Sequence, residues 1–92
     1  MTDKLVIYIE PTRQHALNRF REIQQDLGSQ VDRASRENLQ IESGGVTFKF
    51  ISQTNLDSLR GLSPTHVMVD RACSLRIDEH RFLDSLIRNS HD

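Results

Sequence analysis

The chain has 92 residues, of which 36% are hydrophobic and 27% charged, and its formal net charge is −1. This size and composition indicate one small globular domain over residues 1–92, without a linker, a repeat or a low-complexity stretch. No apolar run approaches the roughly 18 residues that a membrane span needs, so we expect no contact with a membrane. The near-neutral charge excludes the strongly basic footprint of a protein held mainly by nucleic-acid phosphates.

A β–α unit opens the sequence. Residues 5–9 form a continuous apolar, β-branched run, which is typical of a strand buried on both faces. Pro11 ends this strand, and Thr12 is a good N-cap for a helix. Gly28 is placed to end that helix. Between them the apolar residues recur at helical spacing and share one stripe: Ala16, Leu17, Phe20, Ile23 and Leu27.

The middle of the chain predicts a hairpin. Residues 29–36 are polar and fit either a loop or an extension of the first helix. Two runs of alternating apolar and polar residues flank Gly44 and Gly45, which predicts a β-hairpin with a primed turn. Residues 55–60 then predict one helical turn, closed by Gly61.

The last third predicts a strand and a helix. Residues 66–70 are extended, and the C-terminal helix has Asp78 and Glu79 at its front and Arg88 near its end, as suits the helix dipole. Its apolar residues are Leu75, Ile77, Leu83, Leu86 and Ile87. We therefore predict an α/β fold: a small, mainly parallel sheet with a β-hairpin, flanked by two helices. The first and fourth strands are expected at its centre and the hairpin at its periphery.

Metal binding and nucleophilic catalysis have little support. The four histidines are scattered, and the closest helical pair, His80 and Asp84, lacks the further ligands that a zinc site requires. We expect no metal and no cofactor. Cys73 is the only cysteine, which excludes an internal disulfide and suits a reducing cytoplasm. A lone cytoplasmic cysteine is more often a small core residue than a nucleophile.

The phosphate loop of nucleotide-binding proteins is absent. That loop needs a Gly-Lys pair, and neither Lys4 nor Lys49 follows a glycine. Residues 66–70 are nevertheless a mostly apolar strand that ends in Asp70, the form of the strand that carries a magnesium-associated aspartate in such ATPases.

Four segments together resemble a known family. Residues 9–14 (IEPTRQ), with the amphipathic helix after them, resemble the segment that follows the phosphate loop in large terminase subunits and related helicase-type P-loop ATPases. Residues 44–50 (GGVTFKF) look like the glycine-led hairpin strand of that family. Residues 55–63 (NLDSLRGLS) look like its stretch around Leu-Arg-Gly, and residues 66–70 (HVMVD) like its Walker B strand. The segments follow the family order over residues 5–86, which implies a partial P-loop ATPase core.

The departures from that family concern catalysis. Asp70 matches the Walker B acid, but Arg71 stands where the family has the glutamate that acts as catalytic base. A guanidinium cannot accept the proton. The family's Walker A loop would precede Leu5, and its nuclease domain has no counterpart here. The resemblance implies an ATPase scaffold without its machinery, so we expect no enzymatic activity, and we expect Asp70 to pair with Arg71 or Arg60.

The function that follows is protein–protein interaction. The resemblance implies a small bacteriophage protein of the host cytoplasm, which regulates a larger ATPase or another nucleic-acid machine, as in DNA packaging, or acts as its decoy. A sheet cut out of a larger core leaves exposed edges, which a phage or host protein, or a second copy in a homodimer, would shield.

Two alternatives use the arginines. In the first, Arg13, Arg19 and Arg21 of the first helix bind nucleic acid, with Arg60 as a further contact, although a solvated helix face is the favoured interpretation of this pattern. In the second, the chain is half of a split ATPase whose phosphate loop lies on another chain, and Arg71 or Arg60 points toward that neighbour's nucleotide.

Overall fold

The computed structural model describes residues 4–89, which form five strands and two α-helices. The strands are β1 (Lys4–Glu10), β2 (Arg33–Ser35), β3 (Gln40–Ser43), β4 (Val46–Ser52) and β5 (His66–Val69). The helices are α1 (Arg13–Leu27) and α2 (Ile77–Asn89). Two 3₁₀-helical segments, Gly28–Gln30 and Gln53–Leu59, follow α1 and β4.

The strands form one mixed sheet in the order β2-β3-β4-β1-β5. β1 pairs in parallel with β4 and with β5, whereas β3 is antiparallel to both of its neighbours, β2 and β4. The α/β class is thus confirmed, but the sheet is evenly mixed and not mainly parallel. The difference arises because residues 33–35 add an antiparallel strand that the sequence pattern does not reveal.

The positions of the strands correct the prediction in part. β1 is an interior strand, next to the edge, whereas β5, the predicted fourth strand, lies at the edge of the sheet. β4 takes the inner position between β1 and β3, so the hairpin is not wholly peripheral. β4 buries Phe50 on one face and Ile51 on the other, as an interior strand does, whereas Met68 of β5 stays 51% exposed.

α1 covers one face of the sheet, and its predicted boundaries are confirmed. The Thr12 hydroxyl accepts a hydrogen bond from the His15 N–H (3.2 Å), which caps the first turn. Gly28 ends the helix at a positive φ of 53°. The helix buries Ala16 and Phe20, and the Phe20 ring meets the Phe50 ring edge-on with centroids 5.8 Å apart.

The predicted hairpin joins β3 and β4. Gly44 and Gly45 have φ values of 56° and 81°, as a primed two-residue turn requires. Asp32 braces this turn, since its Oδ2 accepts a hydrogen bond from the Gly44 N–H (2.9 Å). Residues 29–36, predicted as a loop or a helix extension, contain the end of a 3₁₀ segment and then β2. β2 pairs with β3 and places Ala34 opposite Ile41.

The second layer covers the other face of the sheet. Ile7 and Ile9 of β1 pack there against the 3₁₀ segment Gln53–Leu59 and against α2. The predicted helical turn at residues 55–60 and the predicted C-terminal helix are thus both present, with Asp78 and Glu79 in the first turn of α2. The side chain of Arg88 lies outside the described part of the chain. The buried side chains of this cluster are Ile7, Ile9, Ile51, Leu56, Leu59, Leu83 and Leu86.

The parallel strands determine where functional side chains meet. Since β1, β4 and β5 run in one direction, the residues that follow them lie at one end of the sheet. The chain leaves β1 toward α1 on one face and leaves β5 toward α2 on the other. This divergence opens the carboxyl end of the sheet between β1 and β5, where α/β proteins commonly place functional groups.

Candidate functional site

Asp70 lies at the carboxyl end of the sheet, directly after β5. Its backbone N–H donates to Ile9 O on β1 (2.9 Å), and its Oδ1 accepts a hydrogen bond from the Ala72 N–H (2.8 Å). The ion-pair partner of Asp70 is Arg19 of α1, with Nη2 3.6 Å from Oδ2. The expected pairing of Asp70 with Arg71 or Arg60 is therefore wrong, because Arg19 of α1 lies at this end of the sheet and forms the ion pair.

Glu10 completes what we call the carboxylate cluster: Glu10, Arg19 and Asp70. Glu10 ends β1 and is only 4% exposed, and its Oε2 lies 3.6 Å from Arg19 Nε. Each of the two carboxyl groups also shifts the pKa of the other. A single guanidinium thus serves two acids on neighbouring parallel strands, with Glu22 of α1 as a third at 3.7 Å.

The pKa values of the two acids in the cluster are shifted in opposite directions. Burial raises the pKa of Glu10 above its ordinary value of 4.5, although the Arg19 charge opposes this rise. The hydrogen bond from the Ala72 N–H is the main reason that the pKa of Asp70 lies below its ordinary value of 3.8. As the pH falls, Glu10 therefore takes up its proton before Asp70 does.

Cys73 borders this cluster and packs as a core residue does. It is partly buried against the cluster of Ile7 and Ile9, and its Sγ donates to Ile9 O (3.4 Å). Burial, followed by the negative charges of Asp70 and Glu10, raises the pKa of the Cys73 thiol. A raised thiol pKa lowers the thiolate fraction, which is the opposite of what activates a nucleophile.

The arginines singled out in the sequence lie apart from one another. Arg19 is held in the carboxylate cluster, and Arg13 donates to the backbone O of Glu37 (3.3 Å). Arg21 is exposed on α1. Arg60 lies on the opposite layer, where it pairs with Asp57 (3.5 Å) and its guanidinium carbon stands 5.6 Å from the centre of the Phe82 ring.

Arg71 follows Asp70 and is exposed. No ion pair of Arg71 is formed within residues 4–89, so its charge faces solvent at the carboxyl end of the sheet. Two further acids share Arg19 with Asp70: Glu10 of β1 and Glu22 of α1. The Asp70–Arg71 pair thus combines a fixed, hydrogen-bonded carboxylate with a free cation.

The remaining histidines, acids and charged clefts of the described residues form no further site. In the part of the chain that the structure describes, no group of three or more His, Cys, Asp or Glu side chains is placed to hold a metal ion. A cleft of about 420 Å³ lies between the segment Gln53–Leu59 and α2. Its charges pair with one another: Arg60 with Asp57, and Arg76 with Asp78 and Glu79.

The outer edge of β5 combines an unpaired backbone with exposed apolar side chains. No strand within residues 4–89 pairs with it, and the sequence of β5, His-Val-Met-Val, has no Lys, Arg, Asp, Glu or Pro. Met68 is 51% and Val69 40% exposed. We call this side of β5, with its free backbone groups and these two side chains, the open edge.

The opposite edge of the sheet is protected. β2 has only three residues, Arg33–Ser35, and it begins with an arginine opposite Glu42. Short, charged edge strands resist pairing with other chains, whereas an uncharged edge with apolar side chains invites it. The contrast between the two edges makes the open edge the candidate site.

Two features of this region escape sequence reasoning. The first is the Arg19–Glu10 pair, which joins α1 to the end of β1. The sequence indicates it only weakly, in that the first and the last predicted strands each end in an acid, Glu10 and Asp70. The open edge is missed because a mostly apolar strand is typical of a buried position. Only the pairing order shows that β5 is outermost.

No family model, no curated protein and no solved structure matches this chain. The resemblance to terminase ATPases therefore stays a prediction from the motifs. Among the described residues, neither helix has the length and apolar character needed to cross a bilayer.

Proposed function

We propose that this chain acts without catalysing a reaction, by joining another polypeptide through the open edge of β5. The observation that carries the proposal is the combination of unpaired backbone, missing charge and exposed Met68 and Val69 on one strand. An added strand gains its affinity from main-chain hydrogen bonds and its specificity from alternate side chains. β5 offers both to a partner.

The chemistry around Asp70 supports the non-catalytic part of the proposal. Both Asp70 oxygens are engaged, one by the Ala72 N–H and the other by Arg19. Its neighbour in the sequence is a guanidinium, which cannot act as a general base. These interactions suit a carboxylate that closes the turn after β5 and ties α1 to the sheet.

The kind of partner is suggested by the resemblance alone. We propose a larger terminase-like or helicase-type ATPase, which the chain regulates or imitates in a bacteriophage setting. Arg71, exposed beside Asp70, would contact a neighbouring nucleotide in the split-ATPase alternative. That alternative predicts that Arg71→Ala abolishes the ATPase activity of a complex with a loop-bearing partner, and full activity would overturn it.

Capture from a bacterial lysate tests the proposal. The tagged chain is compared with Met68→Lys at the open edge and with Ala34→Lys, a matched control on the exposed edge strand β2. We expect a discrete protein that survives nuclease treatment, is lost with Met68→Lys and is retained with Ala34→Lys, because a buried lysine disfavours strand pairing.

Other results of this capture would contradict the proposal. A protein that Met68→Lys retains as well as the original chain would place the contact away from β5. Recovery that disappears with nuclease would indicate a nucleic-acid surface, for which Arg13 and Arg21 would be the first residues to replace.

A further inference from the structure

We propose that the occupant of the open edge is a second copy of this chain, paired antiparallel through β5 about a two-fold axis at Met68. This inference rests on the proposed function and names the polypeptide that the open edge joins. Another partner would then compete with the second copy for the same strand.

The backbone of β5 determines which groups are available. Asp70 N–H donates to Ile9 O on β1 (2.9 Å), and Ile9 is the register partner of Val69. Because successive residues of a strand direct their backbone groups to opposite sides, Met68 shares the inward direction of Asp70. The N–H and C=O groups of Val67 and Val69 therefore point to the open edge.

This direction fixes the register of two antiparallel copies. Groups that point outward must face one another, and the register that pairs both outward residues of each copy sets Val67 of one copy opposite Val69 of the other. Each such pair exchanges both of its hydrogen bonds. Met68 then lies opposite Met68 on the symmetry axis. A shift by one residue would face outward groups with inward ones and leave them unpaired.

The same register accounts for the two exposed apolar side chains. Met68, 51% exposed, would pack against its own copy at the centre of one face. Val69, 40% exposed, would be covered on the other face by Val67 of the second copy. Pairs that lie directly opposite across antiparallel strands are the contacts that stabilise a sheet.

Charge favours this antiparallel arrangement. In the proposed register His66 lies opposite Asp70 of the second copy, on the face that carries Met68. The amino end of this face also carries Lys4, two residues before Val6, the register partner of His66. At its carboxyl end the three acids Asp70, Glu10 and Glu22 surround the single cation Arg19, so this end is net negative. Two-fold pairing therefore sets the basic end of each copy against the acidic end of the other, whereas parallel pairing would oppose like ends.

The opposite edge strand, β2, is a poor pairing partner for the open edge of another copy. β2 has three residues and begins with Arg33. Pairing β5 of one copy with β2 of the next would also build an open chain of molecules, whereas pairing β5 with β5 closes as a dimer. Because β5 has only four residues, we expect a weak dimer with a dissociation constant between micromolar and millimolar.

Sedimentation at several protein concentrations tests the charge pairing with two variants of one exposed residue. His66→Lys keeps a base opposite Asp70 and should preserve the dimer or strengthen it. His66→Asp places an acid there twice per dimer and should weaken association by roughly tenfold. Ala34→Lys on β2 is the control and should leave the dimer unchanged.

Cross-linking tests the register. In a Cys73→Ser background, Met68→Cys would place the two new thiols opposite each other on the axis, at a separation that a disulfide can span. His66→Cys, on the same face but opposite Asp70, would hold its copies too far apart. We expect a disulfide-linked dimer from Met68→Cys and none from His66→Cys.

The outcomes separate this inference from the proposed function. A chain that stays monomeric at millimolar concentration, or a dimer that His66→Asp and His66→Lys affect alike, would overturn the second copy as the occupant. The lysate capture would then decide the function by itself. If capture depends on Met68, the open edge binds a different protein, and if it does not, both proposals fail.

Discussion

Glu10 and Asp70 share one guanidinium and respond to pH in opposite senses. The folded chain favours neutral Glu10, since burial raises its pKa above 4.5, so its contribution to the free energy of unfolding is largest at low pH. That contribution falls as the pH rises from 4.5 through the raised pKa. Asp70 stabilises the fold above pH 3.8, and this stabilisation is lost as the pH falls through its lowered pKa.

Amide substitutions separate the two groups. Glu10→Gln imitates the protonated acid, so we expect it to gain stability relative to the original chain between pH about 4 and about 7. Asp70→Asn should lose stability over the same range, because the Ala72 N–H and Arg19 favour the charged carboxylate. Urea unfolding at several pH values measures both. If the two variants changed in the same direction, the assignment of the cluster would be wrong.

The hairpin between β3 and β4 depends on the backbone conformation of Gly44. Gly44 has a φ of 56°, and a Cβ added there would meet no atom within 4 Å, so the backbone conformation alone limits substitution. Gly44→Val should lower the free energy of unfolding by about 1–2 kcal/mol, since a branched residue disfavours this conformation. Gly44→Asn should be nearly neutral, because Asn adopts it more readily.

Thermal or urea unfolding of both Gly44 variants checks the turn. Equal losses would indicate that the turn differs from a primed turn, or that the hydrogen bond from the Gly44 N–H to Asp32 depends on the glycine. The measurement is informative because β3 depends on this turn to pair with β4.

The elements that sequence predicts well are those with local signals. α1 begins at the Thr12 cap and ends at Gly28, and the glycine pair at 44–45 identifies the hairpin, because capping and turn chemistry involve neighbouring residues. β2 is missed because its three residues, Arg-Ala-Ser, carry no strand signal of their own. It forms because the Asp32 N–H donates to Glu42 O and Ala34 pairs with Ile41 on β3.

The candidate site is less predictable because its contacts join residues that are far apart in the sequence. Asp70 and Arg71 stand out in the sequence, but the Arg19 that pairs with Asp70 comes from α1, on another part of the chain. The open edge depends on which strand is outermost. A four-residue apolar strand is compatible with the centre or the edge of a sheet, so composition alone favours the wrong position.

At the scale of the whole molecule, two layers of helix leave one side of the sheet unprotected. α1 covers the face toward β3 and β4, α2 covers the other face, and β2 closes the far edge with a short charged strand. The outer side of β5 has no paired strand within residues 4–89, and β5 carries no Lys, Arg, Asp or Glu. Within residues 4–89, the outer side of β5 is therefore the sheet edge better suited to strand pairing, and the proposed function rests on it.

Amide hydrogen exchange at the open edge measures strand pairing there residue by residue. In dilute solution the Val67 and Val69 amides should exchange quickly, while the Met68 amide, directed at β1, should exchange slowly. At high protein concentration we expect exchange at Val67 and Val69 to slow, with Met68 and Ala34 of β2 unchanged. If Val67 and Val69 exchange at the same fast rate at every concentration, the open edge is not where this chain meets its own copy.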